Sequence, residues 1–248
     1  MAISIASLLE TSKCRRISCI TCYTANIAAV IDGVVDVVLV GDSVGMVLYG
    51  EPNTHNVTME MMISHASAVR KQISRSLLVF DMPFGSYEES PEFAFRNALL
   101  AIKKTGCDAI KLEGGTEMCD TIKFLCDRGI PVIGHVGLMP QKYKLSGSFK
   151  KITDFDKVLH DFDSVSKSGV FSIVVENVTD SISKQINTQY PDVLTIGIGA
   201  GNFCKGEIVV LEDLCGLSGK NPPFCKPKSN LLEQIEKIVA EYSAGVKG

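Results

Sequence analysis

A (β/α)8 barrel is the expectation for this chain, and it rests on three features. The 248 residues match the roughly 250 that one such barrel takes. Eight short apolar or β-branched runs recur, at 16–23, 35–40, 77–80, 109–112, 131–134, 172–175, 193–197 and 208–211. Helix-period patterns lie between most of them. The runs are continuous rather than alternating, the pattern of parallel strands covered on both faces. Strand and helix alternating eight times over close most simply into a barrel, with a doubly wound open sheet as the alternative.

The helical patterns fall at 59–71, 91–104, 117–127, 155–168 and 180–188, and 231–244 would be the closing helix. Pro91 fits a first helical turn behind Ser90 as its cap. Gly106, Gly129 and Gly169 each stand just past a helical run, where a left-handed residue ends a helix. One unit is irregular. Only residues 200–207 separate the seventh and eighth runs, too few for a full helix, so a short crossover is required there. No repeat, low-complexity stretch or linker interrupts the pattern, and residues 1–248 read as one catalytic barrel domain.

Composition excludes several classes. With 46% hydrophobic and 21% charged residues the chain is not globally disordered. A net charge of -3 and the absence of Trp leave neither a basic face nor a stacking platform, so nucleic acid is not an expected partner. Residues 1–16 carry their charges after a short apolar stretch, which is not a signal peptide. The most apolar window, 27–40, is broken by Asp32 and Asp36, and a bilayer core would penalise both, so no membrane span is expected. Nine cysteines are scattered. Cys19 and Cys22 have CxxC spacing, but three residues apart on a strand they point to opposite faces. Reduced thiols in a cytoplasm are the expectation.

Chemistry gathers at the strand ends. Asp42, Asp81, Glu113, His135 and Glu176 each follow a strand-like run, which in a barrel puts all five at the carboxyl-terminal rim where barrel active sites lie. Carboxylates converging on one rim repel unless a cation sits among them, and oxygen-only donors suit Mg2+ or Mn2+. Each acid taken singly reads as well as a helix cap or a solvated loop residue. Lys111 shares a strand face with Glu113, as an anchor for an anionic substrate or as a structural ion pair. The glycine-rich segment Gly197 to Asn202 lacks the third glycine of the dinucleotide fingerprint. It is either a close approach to a phosphate or flat ring, or a tight turn without a ligand.

These residues, with their neighbours, resemble the ketopantoate hydroxymethyltransferase family. The matching motifs are Val-Gly-Asp42-Ser43-Val-Gly-Met46, Asp81-Met-Pro-Phe84, Lys111-Leu-Glu113-Gly-Gly115, Gly134-His135-Val-Gly-Leu138, Val-Glu176-Asn-Val178 and Ile-Gly-Ile-Gly199-Ala-Gly201-Asn202. They follow the family's order across 5–224. The resemblance implies a barrel of the phosphoenolpyruvate mutase/isocitrate lyase-like superfamily. It implies transfer of a one-carbon unit from 5,10-methylenetetrahydrofolate to 3-methyl-2-oxobutanoate, giving ketopantoate for pantothenate synthesis. It also implies a cytoplasmic homo-oligomer, a decamer in many members. Carried over by motif, Asp42, Asp81 and Glu113 would hold the metal. Asp42, Ser43, Asp81 and Lys111 would hold the 2-oxo acid. Glu176 would be the general base, and His135, Gly199 and Asn202 would support the site.

The match breaks at Glu51 to Asn56, at Met139 and at Ser146 to Lys151. These loops are expected near the rim, outside the metal ligands, and bear on the folate-dependent step. Two other readings stand beside this one. An enzyme of the phosphoenolpyruvate mutase type would carry a Lys-Lys-Cys-Gly-His loop, which is not found here. A barrel without turnover would persist as a binding or assembly module.

Overall fold

Eight parallel strands close into a ring in the computed structural model, which describes residues 2–142, 150–219 and 221–248. They are β1 Ile17–Thr21, β2 Val37–Val40, β3 Leu77–Asp81, β4 Ala109–Lys111, β5 Val132–Gly137, β6 Ser172–Glu176, β7 Leu194–Ile198 and β8 Gly206–Val209. Each pairs with the next in sequence order, and β8 pairs with β1, so no edge strand is left. The open-sheet alternative is excluded.

Strand periodicity explains the core. Successive side chains alternate between two faces, so each strand feeds two apolar clusters. Ile17, Cys19, Val37, Leu39, Leu77, Val79, Ala109, Ile133, Val174, Leu194, Ile196 and Ile208 fill the barrel interior. Ile20, Val38, Val40, Leu78, Phe80, Ile110, Ile173 and Val175 face outward into the helices. Cys19 belongs to the inner cluster and Cys22 to the outer one, so the CxxC pair is split as expected. All nine thiols are free.

The helices Met59–Arg70, Pro91–Thr105, Cys119–Cys126, Phe155–Ser166 and Asp180–Gln189 lie where the apolar spacing places them. Ser90 caps the second of these by accepting from the Phe93 amide, with Pro91 in the first turn, and Gly106 ends it at φ 69°. Three features depart from expectation. Helix Ile5–Cys14 was not legible, because its start is signalled only by Ser4 and Ser7, which cap each other. It seats Leu8 in the inner cluster and closes the amino-terminal end of the barrel. The eighth strand stops at Val209, and Leu211 instead opens a short helix, Leu211–Cys215. The helix Leu231–Lys247 exists but closes nothing. None of its residues is buried, and Leu232, Ile235, Ile238, Val239, Tyr242 and Val246 stand exposed on it. β7 and β8 are joined by residues 199–205 without a helix, the short crossover the spacing required.

Asp32 and Asp36 are both buried. Asp36 accepts from both terminal nitrogens of Arg15 at 2.8 and 2.7 Å and from the Ser18 amide at 2.9 Å. Asp32 accepts from the amides of Arg75 and Ser76 at 2.8 and 2.9 Å and from the Ser74 hydroxyl at 2.9 Å. It thereby fixes the entry into β3.

Burial by itself would raise the Asp32 carboxyl, but the donors from Ser76, Arg75 and Ser74 outweigh it and hold the group below the usual carboxylate range. A lowered folded value means the stabilisation is present above the unfolded value of about 4 and is lost as pH falls below it. Asp32→Ala leaves two inward amides without acceptors and should cost about 2–4 kcal/mol at pH 7. Urea unfolding at pH 7 and at pH 3 should show that deficit shrinking at the acidic end.

Candidate active site

The charged site is the next rung of the interior ladder. Above the apolar layers, Asp81 follows Leu77 and Val79, Lys111 follows Ala109, His135 follows Ile133, and Glu176 follows Val174, all at spacing two. Inward-pointing rungs at the carboxyl ends of four adjacent strands must therefore converge. The β3–β4 register sets Asp81 directly beside Lys111. The Lys111 ammonium donates to Asp81 Oδ1 at 2.8 Å and lies 3.8 Å from Glu113 Oε1. Asp42 stands off the ladder, past Gly41, and its amide donates to Asp81 Oδ2 at 3.2 Å. Asp42, Asp81, Lys111, Glu113 and His135 are all buried, and Glu176 is half-buried at the mouth.

The His135 ring lies between two glutamates. Nδ1 is 3.5 Å from Glu113 Oε1 and Nε2 is 3.3 Å from Glu176 Oε2. These are charge contacts, since neither nitrogen has the alignment of a hydrogen bond. Burial and the Lys111 charge oppose protonation of His135, but the two glutamates prevail and push it up to about 9. Glu113 is held below its ordinary range: burial opposes this, and His135, Lys111 and the Gln141 amide overcome it. Asp42 goes the other way. Burial and the charges of Asp81 and Glu113 push it up to about 8, against Lys111 and a hydrogen bond from Gln141. The cluster therefore holds more acid than its two cations neutralise.

Gln141 was missed by sequence reasoning. Its Nε2 donates to Asp42 Oδ2 at 2.9 Å and to the Met82 carbonyl at 3.0 Å, and its backbone amide donates to Glu113 Oε2 at 3.1 Å. Tyr87 donates its hydroxyl to Gln141 Oε1 and accepts from the Glu113 amide at 3.2 Å. No run or spacing announces Gln141; its position after Met139 and Pro140, at the end of a strand unit, was the only cue. The altered loop at Glu51 to Asn56 also proves closer to the acids than expected. A ring nitrogen of His55 lies 2.7 Å from the Gln141 carbonyl, and its ring tilts against Phe84 at 4.7 Å. That loop is thus one side chain away from Asp42 and Glu113. Ser146 to Phe149 of the other altered loop lies outside the described residues.

Asp42, Ser43, Asp81, Lys111, Glu113, His135 and Glu176 all line one cleft of about 670 Å3. Ser43 pairs its hydroxyl with Tyr23 at 2.8 Å. Behind Glu176, Asn177 takes a left-handed backbone (φ 47°), alone in this among the described non-glycine residues. Asparagine tolerates that conformation, and its amide donates to the Ile198 carbonyl at 2.8 Å. Gly199 and Asn202 do not reach the acids. Gly199 sits beneath the Phe224 ring, where a Cβ would come within 2.6 Å. Asn202 is exposed and lines a separate groove beside β8 and β1.

The donor chemistry fits a hard divalent cation. Asp42, Asp81 and Glu113 offer carboxylate oxygens only, and their charge is under-compensated. Among the described residues no three acids or imidazoles already stand at ligand spacing. Instead the Lys111 ammonium lies between Asp81 and Glu113.

An eight-stranded parallel barrel with acids at its carboxyl-terminal mouth defines a barrel enzyme, and solved structures share that fold. Phosphoenolpyruvate phosphomutase from Streptomyces platensis subsp. rosaceus aligns with a TM-score of 0.65 at 11% identity, over 99% of this chain and 88% of that one. The 2,3-dimethylmalate lyase, a PEP mutase/isocitrate lyase superfamily member, aligns at 0.61 and 13% identity, over 84% and 80%. Sequence similarity is more particular. The model of the ketopantoate hydroxymethyltransferase family matches residues 2–248. The 3-methyl-2-oxobutanoate hydroxymethyltransferase of Chelativorans sp. (strain BNC1) is 47% identical over 235 residues, 93% of this chain and 83% of that protein. The chain belongs to the ketopantoate hydroxymethyltransferase family, and so to the transferases.

The raised Asp42 carboxyl has a stability consequence. Below about pH 4 the group is protonated in both folded and unfolded chains and contributes nothing. Between that value and about 8 only the unfolded chain ionises freely, so stability falls as pH rises. Asp42→Asn cannot ionise. In the presence of chelator it should be about 2–4 kcal/mol more stable than the parent at pH 7 and equal to it at pH 4. Urea midpoints at the two pH values test this.

Proposed function

We propose that the protein forms ketopantoate by transferring a one-carbon unit from 5,10-methylenetetrahydrofolate to 3-methyl-2-oxobutanoate, in pantothenate synthesis. Residues 1–248 act as one catalytic domain in the cytoplasm. Asp42, Asp81 and Glu113 hold Mg2+ or Mn2+. The supporting observation is the juxtaposition of under-neutralised, oxygen-only acids with Glu176 in the same cleft.

When bound, the cation supplies Lewis-acid polarisation of the keto oxygen of the 2-oxo acid. The protein's own groups do the rest. Ser43 and Lys111 bind the anionic substrate, with Lys111 countering charge that develops on its oxygens. Glu176 takes the proton from C3. His135, its Nε2 3.3 Å from Glu176 Oε2, orients that carboxylate. The C3 carbanion then forms a carbon–carbon bond to the methylene carbon. Both carbon–nitrogen bonds of the methylene bridge break, water supplies the hydroxyl oxygen, and the two folate nitrogens take up the proton from C3 and the proton from that water.

No helix of the described residues is long and apolar enough to cross a membrane. The uncovered apolar side chains of Leu231–Lys247 support assembly into a homo-oligomer, a decamer by resemblance to the family. Sedimentation should give a species several times 26.8 kDa, and an active monomer would remove assembly from the account.

Product analysis with 3-methyl-2-oxobutanoate, methylenetetrahydrofolate and Mg2+ is the direct test. Chelator should abolish turnover and added Mg2+ or Mn2+ restore it, while Asp81→Ala should weaken binding of both metal and 2-oxo acid. The base is tested without folate, by exchange of the C3 proton with deuterated water. Glu176→Gln should slow that exchange by about 10²-fold or more while binding of the 2-oxo acid persists. Exchange at the parent rate would make another group the base, with His135 the first candidate.

A further inference from the structure

The acids occupy one side of the cleft, and the other side has a different character. In an eight-strand ring β8 stands opposite β4. The segment after β8 therefore faces Lys111 and Glu113 across the mouth. It lines the cleft with Leu217, Pro222, Pro223 and Phe224, and with one acid, Asp213.

Phe224 is seated but uncovered. Gly199, at φ 60°, has no Cβ, and one placed there would lie 2.6 to 3.0 Å from three ring carbons. The ring thus rests on bare backbone at the cleft wall while 40% of the residue stays exposed. Asp213 is the reverse case, covered but poorly partnered. It is 7% exposed, and no described cation pairs with it. Burial pushes its carboxyl up, relieved only by the neighbouring Ser218 hydroxyl. That hydroxyl is itself buried without an aligned partner. The Asn221 side chain donates to the Asp213 carbonyl, tying the loop to the short helix, and Asp213 itself is among the residues that line the cleft.

A carboxylate in an apolar wall needs donors. Its two oxygens match an N–H and an adjacent amino group on the edge of one ring, a paired, charge-assisted contact. An exposed aromatic face beside it suits a flat ring. We propose that Asp213 and Phe224 form a subsite for the pterin ring of the folate co-substrate. Asp213 accepts from N3–H and the 2-amino group of the 2-amino-4-oxopyrimidine edge, and Phe224 packs on the ring. The inference rests on the folate reading above and adds the residues that recognise the folate.

Calorimetry with tetrahydrofolate, on the full chain with Mn2+ and 3-methyl-2-oxobutanoate present, tests it. The parent should bind. Asp213→Asn, which keeps the shape, should weaken binding by about 10- to 100-fold. Phe224→Ala should weaken it by about tenfold. Mn2+ affinity should stay at the parent value in both, reporting intact acids, and cooperative unfolding should persist with a midpoint no lower than the parent's in Asp213→Asn, reporting an intact fold. If Asp213→Asn does not fold, the parent protein decides: a tetrahydrofolate analogue with methyl in place of the 2-amino group should bind at least tenfold more weakly. Equal binding of that analogue, or tetrahydrofolate affinity within threefold of the parent in a folded Asp213→Asn, overturns the subsite and leaves the folate reading standing. A parent that neither binds tetrahydrofolate nor makes ketopantoate with its methylene form overturns both.

Discussion

The buried pair of Lys111 and Asp81 is the contact around which the mouth of this barrel is organised. Neither charge is tolerable alone at that depth, because removing an ion from water costs several kcal/mol that only a close partner offsets. The pairing is made by strand register, Asp81 opposite Lys111, so it is as rigid as the sheet itself. Asp42 hangs on the same carboxylate through its amide, and Glu113 comes within 3.8 Å of the same ammonium. Slipping β4 by one residue against β3 would turn Lys111 outward into apolar helix packing and leave Asp81 without its partner.

The site gathers more acid than its two cations neutralise. Asp42 is pushed up by burial and by its acidic neighbours, while Glu113, against its own burial, is held down by His135, Lys111 and the Gln141 amide. Such opposed shifts in one cleft are typical of places that do chemistry. Gln141 ties the two together, its side chain donating to Asp42 and its backbone amide to Glu113. The loop at Glu51 to Asn56, where the chain departs from its family, reaches this same residue through His55.

The barrel is asymmetric, and the asymmetry is useful. Helices cover most of the outer wall, but β7 and β8 are joined without one, and no residue of the last helix is buried among the described residues. That leaves apolar surface on the outside for a neighbour. On the inside, it lets the segment after β8 fold back over the mouth, with Phe224 resting on Gly199. The ionic half of the cleft and this apolar half are thus supplied by opposite sides of one ring.

Much of this was written locally and could be read without coordinates. Apolar runs at parallel-strand length, caps such as Ser90 and Pro91, and left-handed ends such as Gly106 depend on neighbours a few residues away. So does the placement of Asp81, Lys111, Glu113, His135 and Glu176, because a period of two carries each strand's inward face one rung past its apolar layer. What could not be read depends on contacts between distant segments. Gln141 meets Asp42 across 99 residues of sequence, and neither residue carries a local sign of the other. Gly199 was legible as a bare stretch of backbone, but only closure of the ring decided that Phe224 fills it. The helix Leu231–Lys247 has the apolar spacing of a packed helix, yet no surface of its own barrel covers it. Periodicity records that a face is to be buried, while three-dimensional packing alone decides against what.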